Sequence, residues 1–188
     1  MTIDSICNAL TNNHIGIVPH DTVPGIVGCL NAATAQRIIN AKQRSTHKGF
    51  IVLIPNKAHL PSLTANIPPA AKPLIDTHWP GPLTLILPKH ADVASFITGS
   101  ESTIAIRYPK HPLLNAILSQ LNTPLLTTSA NISGANTISQ SLIDNMDFVH
   151  PDCLVAASAS LETNSLASTI VDATQSPPIV LRAGQIVL

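Results

Sequence analysis

Short aliphatic runs that stop at a proline constrain the fold of this chain more than any other feature. The clearest runs cover 15–18, 50–54 and 83–87, and each is followed directly by a proline. Runs of this length bounded by turn residues predict short buried strands. Aromatic residues make up 3% of the chain and hydrophobic residues 45%, so Ile, Leu, Val and Ala must build the core. These residues are typical of covered parallel or mixed strands.

Other segments alternate with these runs and complete the prediction of an α/β chain. Further strands are predicted at 103–107, 125–128, 154–156, 168–171 and 178–181, and helices at 69–77, at 112–121 and from 137 onward. Asn31 is a predicted N-cap for another helix, which continues to about Lys42. No repeat or linker interrupts the 188 residues, so we expect a single domain over 1–188.

Charge and cysteine content exclude several classes of protein. Ten basic and ten acidic residues give a net charge of zero, unlike proteins that hold duplex nucleic acid by neutralising its phosphates. Three cysteines, far apart and outside any metal-ligand spacing, predict neither a disulfide framework nor a zinc site, which fits a reducing cytosol. The sequence shows no signal peptide and no apolar stretch of membrane-spanning length. We therefore expect a cytoplasmic protein without membrane contact.

Two pairs of polar residues at the same spacing are the candidate functional residues. Lys42 and Arg44 supply two cations, and Ser129 and Asn131 supply two neutral hydrogen-bonding side chains. Residues two apart point to the same side of an extended chain, so each pair is expected on an extended segment facing one polyanionic ligand. Arginine binds phosphate in a fork and lysine binds it as a mobile point charge, which suits a nucleoside triphosphate or an adenylate.

Spacing alone leaves a simpler interpretation open. Lys42 and Arg44 also fit a solvated helix end favoured by the helix dipole, and 129–134 also fits an ordinary turn. The chain has no Walker-type phosphate loop, no GxGxxG sequence after its first predicted strand and no GxSxG sequence. Its eight histidines form no HExxH or comparable ligand cluster, so we predict no metal held by the protein.

Seven blocks in order along the chain carry a family resemblance. They are PHDTVPG at 19–25, KQR at 42–44, WPGPLTLIL at 79–87, IAIR at 104–107, SANISG at 129–134, STIVD at 168–172 and LRAG at 181–184. Together they resemble the YrdC/TsaC family of threonylcarbamoyl-AMP synthases in its single-domain form. The resemblance implies an α/β fold with an open, twisted mixed β-sheet, surrounding helices and a concave, positively lined cavity.

The same resemblance implies an activity and roles for individual residues. A nucleotidyltransferase of this family joins L-threonine, bicarbonate and ATP into threonylcarbamoyl-adenylate and releases pyrophosphate. The implied nucleotide-binding and catalytic set is Lys42, Arg44, Ser129 and Asn131. Thr22 is expected near the threonine or carbamate, and Ser168 is expected to contact substrate. Arg107 or Arg182 is expected to contact a carboxylate or phosphate, Arg107 on the substrate side and Arg182 on the nucleotide.

The family resemblance also implies a metal ion and a partner complex. Bound magnesium is expected to shield the leaving pyrophosphate. The product is expected to pass to a tRNA threonylcarbamoyl-transfer complex for threonylcarbamoyladenosine modification, with weak RNA contact at most by this chain.

Several residues depart from the family pattern, mostly near the expected threonine site. The family has Thr-Glu at His20-Asp21, an aromatic residue at Pro24, a glutamate at Ala167 and a proline at Ala183. These changes leave a noncatalytic nucleotide- or RNA-binding paralogue as the alternative function. A second alternative is another carbamoyl-adenylate chemistry, as in hydrogenase-maturation relatives, although their zinc-finger and acylphosphatase-like segments are not in this sequence.

Overall fold

One sheet of nine strands, together with six α-helices and a 3-10 helix, makes up most of the regular structure of the residues that the computed structural model describes, 1–45, 48–132, 138–153 and 166–188. The strands are β1 Gly16–Val18, β2 Gly25–Cys29, β3 Ile51–Leu53, β4 Leu83–Pro88, β5 Thr103–Arg107, β6 Leu125–Ser129, β7 Phe148–Val149, β8 Thr169–Asp172 and β9 Ile179–Arg182. The α-helices are α1 Ile3–Thr11, α2 Ala32–Lys42, α3 Ala71–His78, α4 Ser95–Thr98, α5 Pro112–Leu121 and α6 Gln140–Ile143, and the 3-10 helix is Lys57–Ser62.

The sheet is open and mixed, as the family resemblance predicts. Its strand order is β7-β1-β2-β6-β3-β5-β4-β8-β9, so β7 and β9 are its edges. The pairs β1·β7, β3·β5 and β4·β8 are parallel, and the remaining neighbours are antiparallel. Because the β1–β2 hairpin pairs with β6, residues distant in sequence meet at the centre of the sheet.

The two faces of the sheet carry separate apolar clusters, because successive strand residues point to opposite sides. One cluster joins residues such as Val52 to α2 and α3. The other joins residues such as Leu53, the next residue of β3, to α1 and α5. Ile51 lies on the same face as Leu53 and lines a cavity beside that second cluster. Helices α1 and α5 therefore leave part of this face open.

Helix starts follow the local chemistry of the sequence. The prediction that Asn31 caps α2 is confirmed, since its side chain accepts a hydrogen bond of 2.9 Å from the Thr34 backbone N–H. Pro112 is the first residue of α5, where its missing N–H costs nothing. Pro73 is the third residue of α3, still within the turn whose N–H groups have no intrahelical acceptor.

Several predicted bounds are corrected by the structure. Strand β3 covers only Ile51–Leu53 of the predicted 50–54, and α6 begins at Gln140, with Ser139 as its N-cap. The strand predicted at 154–156 lies outside the described residues, as do Ser133 and Gly134. The helices α1 and α4 and the strands β2 and β7 were not predicted.

Membrane insertion by a helix has no support in the described residues, since none of their helices is long and apolar enough to cross a bilayer.

Candidate functional site

A cavity of about 350 Å³ opens on the face of the sheet that α1 and α5 leave uncovered. Its floor is formed by β-strand residues that point to this face, such as Ile51, Ala105 and Thr127. The described residues that line it include three arginines and one glutamate, Arg44, Arg107, Arg182 and Glu101. Because Arg107 is paired with the Asp21 carboxylate behind the lining, three guanidinium groups against two carboxylates leave a surplus of one positive charge, which attracts an anionic ligand.

Lys42 and Arg44 do not lie on an extended segment, so that prediction is wrong. Lys42 is the last residue of α2, and Gln43 follows with a left-handed φ of 51° that turns the chain. The second pair is also bent after Ser129, because the Asn131 backbone N–H donates to the Ser129 carbonyl at 3.0 Å.

Lys42 is buried, with 4% of its surface exposed, so the solvated helix end is also the wrong interpretation for this residue. Its Nζ donates to the backbone carbonyls of Ser129 and Asn131, and to Asn131 Oδ1 at 3.0 Å. Burial, together with nearby Arg44, lowers the pKa of Lys42 to about 8. Lys42 is not among the residues that line the cavity. It holds the turn after β6 rather than facing the open space.

The turn after β6 presents Ser129 to the cavity. Ser129 pairs with Gly25 of β2, and the Ala130 N–H donates to the Pro24 carbonyl at 2.9 Å. The Ser129 hydroxyl donates to Asn131 Oδ1. Ser129 lines the cavity, whereas Asn131 lies behind it and accepts hydrogen bonds from Lys42 and Ser129. The predicted set is thus brought together, with its members in two layers.

Arg44 lines the cavity and is fixed by its own surroundings. Its NH2 group donates to the carbonyls of Lys48 at 2.7 Å and Gly49 at 2.9 Å, and its NH1 donates to Thr128 Oγ1 at 3.3 Å. The guanidinium carbon lies 4.8 Å from the centre of the Phe50 ring, a cation–π distance. Burial lowers the pKa of Arg44. An anion entering the cavity meets a guanidinium whose position is already set.

Arg107, at the end of β5, is buried beside the loop between β1 and β2. It forms an ion pair with Asp21, and donates to Thr22 Oγ1 at 3.0 Å and to the Gly81 carbonyl at 3.3 Å. Asp21 also accepts from the Lys110 backbone N–H at 3.0 Å. Burial lowers the pKa of Arg107, and Asp21 opposes that effect. Asp21, which departs from the family's glutamate, serves here as the counter-ion of Arg107.

Arg182 and Ser168 lie together at the β8–β9 side of the cavity. Arg182 donates to the Ser168 carbonyl at 2.8 Å through NH2 and 3.0 Å through Nε, and to the Ser168 hydroxyl at 2.9 Å. The Ser168 hydroxyl is also 2.9 Å from Thr84 Oγ1. The structure thus places Thr22, Arg107, Ser168 and Arg182 on one cavity with Arg44 and Ser129.

His20 also lines the cavity, although in the sequence it stands out only as a departure from the family pattern. It lines the cavity near Thr22 and packs against Gly25. Its Nε2 atom is shielded from solvent and has no hydrogen-bond partner among the described residues. Burial, with Arg107 and His111 nearby, lowers the pKa of His20 to about 3. The one available signal was its position beside Thr22 at the end of a predicted strand.

An open mixed sheet with an arginine-lined cavity on one face defines the class, an α/β protein whose cavity suits an anionic small molecule. The chain belongs to the Sua5/YciO/YrdC family, whose model, described as "Telomere recombination", matches residues 8–184. The resemblance stated from the seven blocks is thereby confirmed, as is the predicted fold class.

Similar proteins with known names support the same membership. A threonylcarbamoyl-AMP synthase of Pyrococcus abyssi is 34% identical over 88% of this chain and 49% of its own length. One of Bacillus subtilis is 32% identical over 94% of this chain and 51% of its own length. The crystal structure of P. abyssi Sua5 complexed with L-threonine has a TM-score of 0.82 at 28% identity, covering 97% of this chain and 54% of that one. The chain spans about half the length of these relatives.

Proposed function

We propose that this chain is a threonylcarbamoyl-AMP synthase, which forms threonylcarbamoyl-adenylate and pyrophosphate from L-threonine, bicarbonate and ATP. The observation that carries the proposal is the convergence of side chains from distant segments on one cavity, with Arg44 and Ser129 joined there by Thr22, Arg107 and Arg182. Relatives at 34% and 32% identity bear this enzyme name, and one solved relative is complexed with L-threonine.

The proposed reaction requires positioning and charge neutralisation rather than a covalent nucleophile. The threonine amine adds to bicarbonate to give a carbamate with loss of water, and a carbamate oxygen then attacks the α-phosphorus of ATP. Both partners are anions, so the cations of the cavity must offset their repulsion. Arg44 and Arg182 are proposed to face the phosphates, and Arg107, with Thr22, the carboxylate side. Ser129 offers the neutral hydroxyl oxygen that the Asn131 side chain orients, while Lys42 and Asn131 hold the turn that carries it.

Magnesium is proposed to arrive with ATP rather than to reside in the protein. The described residues contain no group of three His, Cys, Asp or Glu side chains that could hold a metal ion. Glu101 is the carboxylate on the described lining, and one carboxylate is a sparse ligand set for magnesium. We therefore assign no step of the reaction to a protein-held ion.

The product, an activated carbamoyl-adenylate, is proposed to feed threonylcarbamoyladenosine formation in tRNA through a separate transfer complex. A net charge of zero fits a chain that makes weak contact with RNA at most. We place this role in the cytoplasm and within one domain, 1–188.

Pyrophosphate release in the presence of ATP, bicarbonate and L-threonine tests the proposal. Turnover should require all three substrates, and omission of any one should abolish it. Arg44→Ala should lower kcat/KM by at least about tenfold, as expected for loss of one charge-assisted contact of ~1.5–3 kcal/mol. Arg37→Ala is the matched control, because Arg37 lies outside the cavity and forms an ion pair with Asp147.

The departures at His20, Asp21 and Pro24 keep the noncatalytic paralogue as the second candidate. That candidate predicts ATP binding that is sensitive to Arg44→Ala but produces no pyrophosphate with L-threonine. Such a result would exclude the synthase.

A further inference from the structure

We propose that His20 is a specificity-determining residue, which offers its imidazole Nε2 to the side-chain hydroxyl of the amino-acid substrate. The identity of that substrate rests on the proposed function. The assignment of His20 itself rests on three features of the cavity wall: the place of the ring, its unpartnered nitrogen and its charge.

The place of the ring is set by close packing on a glycine. A Cβ atom at residue 25 would lie 2.3 Å from His20 Cε1 and 2.7 Å from His20 Nε2. Real contacts are never this short, so the imidazole occupies the space that a side chain at Gly25 would take. Gly25 is also the residue of β2 that pairs with Ser129. His20 therefore lies at the part of the wall between Thr22 and Ser129.

The nitrogen of His20 is distinguished from other buried polar atoms by where it lies. Four buried side-chain atoms lack a hydrogen-bond partner among the described residues: His20 Nε2, Thr34 Oγ1, His111 Nδ1 and Asn115 Oδ1. Only His20 of these four belongs to a residue on the described cavity lining. A buried polar atom without a partner costs ~1–3 kcal/mol, and such atoms call for a functional explanation. A ligand hydroxyl would supply the missing partner once the ring turns this nitrogen toward the cavity.

The charge of His20 suits a hydroxyl rather than a carboxylate. Its pKa, lowered to about 3 by burial beside Arg107 and His111, leaves the imidazole neutral near pH 7. In a neutral imidazole Nε2 either donates or accepts one hydrogen bond, depending on the tautomer, and a hydroxyl group can act as the partner in both cases. The nearby Arg107 remains the group for an anionic carboxylate. Nε2 is shielded from solvent in the chain without ligand, so a turn of the ring about its Cβ–Cγ bond toward the cavity is part of the proposal.

The test compares L-threonine with L-2-aminobutyrate, which is threonine with its hydroxyl group replaced by hydrogen. His20→Phe keeps a ring of similar size and removes both nitrogens, whereas His20→Gln keeps a hydrogen-bonding group near the position of Nε2. We expect His20→Phe to reduce the preference for threonine about 3- to 10-fold, the range of one neutral hydrogen bond. His20→Gln should stay close to the original preference. His14→Phe, at an exposed histidine, is the matched control and should leave the preference unchanged.

Two readouts separate this inference from the proposed function. The first is the ratio of kcat/KM values for the two amino acids in pyrophosphate release. The second is the ratio of their Kd values, measured by calorimetry with a nonhydrolysable ATP analogue present. An active enzyme with the same ratios in His20→Phe would overturn the role of His20 alone. Selective threonine binding without pyrophosphate release would overturn the proposed synthase activity alone. If the unmodified protein bound threonine no more tightly than L-2-aminobutyrate, the proposed role of His20 would be wrong.

Discussion

At the scale of single residues, Lys42 shows how burial changes the role of a cation. Its ammonium lies in the last turn of α2, where the carbonyls of Ser129 and Asn131 surround it. A buried charge is tolerated only when hydrogen bonds replace its hydration. Lys42 therefore shapes the turn from which Ser129 reaches the cavity, and its effect on a ligand is indirect. This residue belongs to the site without lining it.

The titration of Lys42 gives a residue-scale prediction about stability. Its pKa falls from an ordinary 10.5 to about 8 in the folded chain, because burial and Arg44 disfavour the charged form. The unfolded chain thus binds more protons between these values, and folding stability gains as pH rises through this window. Relative to Lys42→Met, the unmodified protein should gain ~1 kcal/mol in free energy of unfolding from pH 7 to pH 9, measured with urea. A constant difference between the two proteins would contradict the burial of a charged Lys42.

At the scale of secondary-structure elements, Asp147 joins three parts of the fold outside the cavity. Asp147 directly precedes β7. Its Oδ2 accepts a hydrogen bond of 2.7 Å from the Ile15 N–H, just before β1. Both of its carboxylate oxygens lie 2.7 Å from Arg37 NH2 of α2. Arg37 also donates to the Asn13 carbonyl at 3.1 Å. The contact therefore ties a helix to two neighbouring strands at the edge of the sheet.

Asp147→Ala should destabilise the chain more than Arg37→Ala. The aspartate change leaves the Ile15 N–H without its charged acceptor, at a cost of ~1.5–3 kcal/mol. The arginine change removes an ion pair whose arginine side chain is 41% exposed, for which ~0.2–1 kcal/mol is expected. Urea unfolding measures both values, and pyrophosphate release should be unaffected because neither residue lines the cavity. Equal losses of free energy of unfolding in the two variants would show that the ion pair with Arg37 contributes more than the contact with the Ile15 N–H.

Some helices and strands could be predicted from their local sequence, and others could not. Helix α5 was predicted with its observed bounds and strand β4 to within one residue, because a proline at the first helical position and a mainly aliphatic run are local signals. Strand β2 was missed because it contains Gly25 and Gly28, residues that disfavour strands when considered alone. A Cβ at Gly28 would lie 2.1 Å from Thr34 Cγ2 of α2, so that glycine reflects tertiary packing. Local sequence carries no record of such a contact.

At the scale of the whole molecule, the cavity exists only because distant segments meet across one sheet. Arg44, Ser129 and Arg182, which the family resemblance groups together, all line that cavity. The layering of the site, with Lys42 behind Ser129, could not be predicted, because spacing along the chain does not report the αL turn at Gln43. The packing of His20 on Gly25 could not be predicted from the sequence either, since it depends on the path of the β1–β2 loop.

A cavity assembled from so many segments should couple ligand binding to the stability of the whole chain. Ligand at about 100 times its Kd adds ~2.7 kcal/mol to the free energy of unfolding, which corresponds to a rise of about 5–10 °C in Tm for a chain of this size. We expect a nonhydrolysable ATP analogue and L-threonine each to raise Tm in differential scanning fluorimetry. Arg44→Ala should remove most of the rise caused by the nucleotide and little of that caused by threonine, because Arg44 and Arg107 lie on separate elements of the cavity wall. If Arg44→Ala removed both rises equally, the two ligands would share one subsite, and the division of the cavity between phosphate and amino acid would be wrong.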